Sequence, residues 1–74
     1  MLARTRRRAR AAIRSAAPDR RVVALAGGDR RHVYLFRDDR AADCLARIAA
    51  HAADPDHPLT AADAALLRDR VEEG

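Results

Sequence analysis

A chain of 74 residues allows one domain, and its single cysteine, Cys44, excludes an intrachain disulfide. Apolar residues make up 49% of it, yet no apolar run approaches the length that crosses a bilayer, so the expected class is soluble and cytoplasmic. All 15 basic residues are arginine, and they are unevenly placed: residues 1–21 hold eight Arg and one Asp, residues 22–74 seven Arg and ten acids. The absence of lysine, with heavy use of Ala, Asp and Val, reads as a coding bias that lowers the weight of the arginine count. The asymmetry survives that discount.

Residues Leu2 to Ala17 contain no Pro, Gly or acid and are rich in helix formers. At helical pitch Leu2, Thr5, Ala9, Ala12, Ile13 and Ala16 share a face, with Arg4, Arg6, Arg7, Arg8, Arg10 and Arg14 around the rest. The pattern predicts a basic helical arm over residues 1–19, stopped by Pro18-Asp19, ahead of a small domain over residues 20–74.

Arg21-Val-Val-Ala-Leu-Ala and His32-Val-Tyr-Leu-Phe flank Gly27-Gly28-Asp29-Arg30-Arg31, which is a hairpin signal. Val23 and Leu25 point one way and Val22, Ala24 and Ala26 the other; Val33 and Leu35 oppose His32, Tyr34 and Phe36. Both faces of the ribbon are therefore apolar, in a chain too short to cover both. Val23, Leu25, Val33, Leu35, Tyr34 and Phe36 are the expected interaction residues, for a second copy of the chain or a protein partner.

Asp38 or Asp39 is placed to cap a helix whose stripe is Ala41, Leu45, Ile48, Ala49 and Ala52, flanked by Cys44. The run from Asp54 to Pro58 breaks it. Thr60 with Asp63 three residues on makes a capping-box start for a last helix from about Ala61 to Glu72, with Leu59 as its staple. Ala64, Leu67 and Val71 form its buried stripe. The expected fold is α+β in the order α-β-β-α-α, an antiparallel hairpin covered by two C-terminal helices.

Cys44 and His51 lie two helical turns apart, about 10 Å along the axis, too far for a thiol–imidazole pair. His51, Asp54, Asp56 and His57 are metal-capable, but their spacing matches no standard ligand set and the loop residues are ordinary turn chemistry. Gly27-Gly28 is a turn, not a phosphate loop. No catalytic residue, metal or cofactor is expected, and the chain reads as a non-enzyme. The arginine arm carries the remaining mechanism, since guanidinium groups pair with phosphates without reading bases. A transit peptide reads much the same but wants more Ser; a lipid-surface helix wants larger apolar groups than Leu2 and Ile13. Two expectations result: a protein-interaction module self-associating through its hairpin, or a nucleic-acid accessory protein contacting RNA or DNA backbone through Arg4, Arg6, Arg7, Arg8, Arg10 and Arg14.

Overall fold

The computed structural model describes residues 9–27 and 30–73. Three strands, β1 (Arg10–Ala17), β2 (Arg20–Gly27) and β3 (Arg30–Arg37), form an antiparallel sheet in the order β1-β2-β3. A single turn of 3₁₀ helix at Asp38–Arg40 leads into α1 (Ala41–Ala53), and α2 (Ala61–Glu73) follows. The α+β class and the hairpin with two C-terminal helices are as expected.

The first element is not. Residues 10–17 form a strand rather than the end of a helix, so the order over the described residues is β-β-β-α-α. The helix expected over residues 2–8 lies outside the described residues. Alanine's helix propensity is a weak preference that tertiary structure overrides. As a strand the segment pairs with the free edge of β2, Ile13 opposite Val23 and Ala11 opposite Leu25. Alternation then sends Ala11 and Ile13 inward while Arg10, Ala12 and Arg14 reach solvent. Pro18-Asp19 connects the strands instead of ending a helix. Its ring holds φ near about −65°, outside the positive values of the favoured hairpin turns, and a register shift between Ser15 and Ala17 takes up the misfit.

β2 and β3 pair in the register Val23 opposite Tyr34, Val22 opposite Leu35 and Gly27 opposite Arg30. Gly27 is needed for a close approach, because a Cβ there would lie 2.6 Å from the Cα of Ala9.

Both helices pack on one side of the sheet, α2 against β1 and β2, α1 against β3, and against each other. Val23, Leu25, Ile48 and Leu67 are fully buried between the layers, with Tyr34, Phe36, Cys44, Leu59, Ala64 and Val71 around them. Thr60 caps α2 as expected, its Oγ1 accepting from the Asp63 amide at 3.0 Å. The Asp63 carboxylate does not complete a capping box but turns inward, where Arg30 Nη2 donates to Oδ1 at 3.0 Å. Neither Asp38 nor Asp39 caps α1: no side-chain cap bond is made there, and the two carboxylates pair instead with Arg21 and Arg37 of the sheet. Arg70 Nε donates to the Ala11 carbonyl at 3.0 Å, tying α2 to the outer edge of β1.

Asp63 is 2% exposed and its Oδ2 has no hydrogen-bond partner, so Arg30 is its principal compensation. The Arg30→Met variant is expected to lose about 2–3 kcal/mol in urea unfolding at neutral pH, the cost of stranding a buried carboxylate whose former partner was half in water. Adding Asp63→Asn to it should restore most of that loss.

Candidate functional site

Among the described residues nothing covers the side of the sheet away from the helices. Its outward residues form four rows across the strands: Arg10, Ala26, Arg31; then Ala12, Ala24, Val33; then Arg14, Val22, Leu35; and last Arg20 with Arg37. Val33 and Leu35 are 57% and 56% exposed, whereas the inward residues beside them, Tyr34 and Phe36, are buried. The middle of this face is a patch of Ala, Val and Leu, and both ends are framed by guanidinium groups. No acid occupies any of these outward positions.

Charge is divided between the two layers. Residues 10–37 hold seven Arg and two Asp, whereas residues 38–74 hold four Arg and nine acids. Where the layers meet, charges are matched: Arg30 with Asp63, and Arg21 Nε with Asp38 Oδ1 at 3.0 Å. On the open face Arg37 has only a long 3.8 Å contact with exposed Asp39, a pair of little energetic weight. The excess positive charge faces solvent.

Of the six expected interaction residues, Val33 and Leu35 lie on the open face. Val23, Leu25, Tyr34 and Phe36 do not, because strand alternation turns them under the helices, where they are core. Arg10 and Arg14 belong to the sheet rather than to a helical arm; Arg4, Arg6, Arg7 and Arg8 lie outside the described residues. Arg20, Arg31 and Arg37, which are not among the expected contact residues, lie on the same face. Reading residues 10–17 as a strand would have placed all five arginines on one face.

All three histidines and the one tyrosine of the chain gather between β3 and the helical layer. The rings of His51 and His57 stack 4.1 Å apart at 9°, and His32 lies 6.0 Å beyond His57. The Tyr34 hydroxyl is 2.7 Å from His51 Nδ1, and His57 Nδ1 accepts from the Leu59 amide at 3.1 Å. Stacked rings present their faces to one another, not their lone pairs to a common point. Among the described residues no group of three or more His, Cys, Asp or Glu is placed to hold a metal ion. Asp54 and Asp56 are used locally, Asp54 Oδ1 accepting from the Asp56 amide.

Cys44 sits at the wall of a cavity of about 170 Å³ lined also by Tyr34, Arg40 and Arg47. Burial pushes its thiol pKa up, with Arg47 pulling weakly the other way, and burial raises Tyr34 likewise. A raised pKa keeps the thiol neutral in the fold, so this contribution holds below the ordinary thiol range and is lost as pH rises through the folded value. Iodoacetamide at pH 8 should alkylate Cys44 at least about tenfold more slowly in the native protein than in denaturant.

The chain is thus a small α+β domain with a helix-covered, matched face and an open, basic one. No family model matches it, and comparisons with curated proteins and with solved structures give no match. Among the described residues no helix is long and apolar enough to cross a membrane.

Proposed function

We propose that this is a non-catalytic, cytoplasmic nucleic-acid-binding accessory protein whose contact surface is the open face of the sheet. The observation that carries the reading is the arrangement of Arg10, Arg14, Arg20, Arg31 and Arg37 around an exposed apolar patch with no acid among the outward positions. A regular polyanion complements such a surface, because each phosphate neutralised releases condensed counterions and the many contacts add.

Fluorescence anisotropy of the full chain with labelled duplex DNA, at a series of salt concentrations, tests this. Five phosphate contacts give a log–log slope of about −4 to −5, steeper if residues 4–8 contribute. A flat salt response, or tighter binding to anionic lipid vesicles than to DNA at matched phosphate, would remove the reading.

Self-association is the second reading, favoured by the outer edge of β3, unpaired among the described residues, with Val33 and Leu35 beside it. Laying one open face on another copy's sets arginine against arginine, so a second copy would pair edge to edge and leave the basic face doubled in area. Light scattering of the full chain across a dilution series decides whether that dimer forms.

A further inference from the structure

Resting on the proposed nucleic-acid reading, we infer that the open face enters the major groove of duplex DNA and touches thymine methyl groups with its apolar middle. Neighbouring strands are about 4.8 Å apart, so β1 and β3 stand roughly 10 Å apart across the sheet. A B-form major groove is about 12 Å wide between its phosphate walls. With the strands running along the groove, Arg10 and Arg14 on β1 face one wall and Arg31 and Arg37 on β3 the other. The two middle rows, with Val33 and Leu35 projecting furthest, then lie over the base edges.

Apart from Arg14, which stands at the β1 edge of its row, the side chains in that middle have no hydrogen-bonding group, so they cannot read donors and acceptors. The one apolar feature a base pair offers in the major groove is the C5-methyl of thymine. Small residues at positions 12, 24 and 26 let the sheet come close. Other nucleic acids fit less well. Single strands are held by base stacking on aromatic side chains, and the chain's only Tyr and Phe, Tyr34 and Phe36, are buried on the inward side. The A-form RNA major groove is too deep and narrow for side chains to read, and its shallow groove displays 2′-hydroxyls that an apolar patch would desolvate.

Thymine replaced by deoxyuridine removes this methyl and leaves the backbone charge and base pairing intact. The full chain is titrated at one salt concentration with an A·T-rich duplex, with the same duplex carrying deoxyuridine for every thymine, and with the corresponding RNA duplex. Each methyl taken out of water is worth about fourfold in affinity, so two contacts give on the order of tenfold weaker binding to the deoxyuridine duplex. The salt slope should not change, and RNA should bind more weakly than either DNA. In the Val33→Ser/Leu35→Ser variant, whose two side chains are exposed, the difference between thymine and deoxyuridine should vanish while salt-sensitive binding persists. Equal affinity of the unsubstituted protein for the two DNA duplexes, with the salt slope intact, would overturn the groove assignment and leave backbone binding standing. Absence of binding to every duplex would overturn both.

Discussion

Replacing Arg10, Arg14, Arg31 and Arg37 together with serine should flatten the salt dependence of DNA binding by about 3–4 units of log–log slope, roughly one for each lost phosphate contact. At moderate salt the affinity should fall by more than about a hundredfold, since each such contact is worth about 1 kcal/mol or more and the four lie on one surface. The fold should survive, because all four side chains are exposed and their strands are held by residues on the opposite face. Circular dichroism of the variant confirms that. A change on the helical layer, Arg47→Ser with Arg68→Ser, removes half as much positive charge without touching the sheet and should leave the slope unchanged. If the two sets of variants behaved alike, the affinity would reflect net charge alone and the sheet face would have no special part in it.

The second large effect concerns stability. Leu25 and Leu35 are the same residue type on adjacent strands of one sheet, but Leu25 is completely buried and Leu35 is 56% exposed. Leu25→Ala should cost about 3 kcal/mol, the usual result of opening a cavity in a packed core. In a domain this small that is a large share of the total, and a substantial unfolded population is expected at 37 °C. Leu35→Ala should change stability by no more than about 0.5 kcal/mol. Urea titration of the two variants side by side measures which way each strand faces.

Much of this fold was legible in the sequence, and the part that was not has a specific cause. The hairpin came from two apolar runs around Gly27-Gly28, and the α2 start from Thr60 and Asp63; both are local signals, and both are present. So was the inward stripe of α2, Ala64, Leu67 and Val71; of the stripe expected on α1, Ile48 is buried, Ala41, Leu45 and Ala52 are half-buried and Ala49 is exposed, while Cys44, expected only to flank it, is buried. The Ala-Ala-Ile-Arg-Ser-Ala-Ala run gave no such signal. Alanine fits either periodicity, and only the pairing with β2, which lies outside any local window, makes it a strand. The interaction residues were mixed for a related reason. Alternation separated Val33 and Leu35 from Tyr34 and Phe36, but it could not say which set the helices would cover. The Arg30 pairing with Asp63 spans 33 positions, and no spacing rule reaches that far.

The division of charge between the two layers has a kinetic consequence. The formal net charge of +4 understates how the domain meets an anionic lattice, because a strong dipole runs from the helices to the sheet. On the proposed nucleic-acid reading, such a molecule would be rotated as well as drawn in, arriving sheet-first before any contact has formed. Bound in that way it would turn its acids outward, restoring a negative exterior that would discourage a second molecule from stacking its own acidic helices on top.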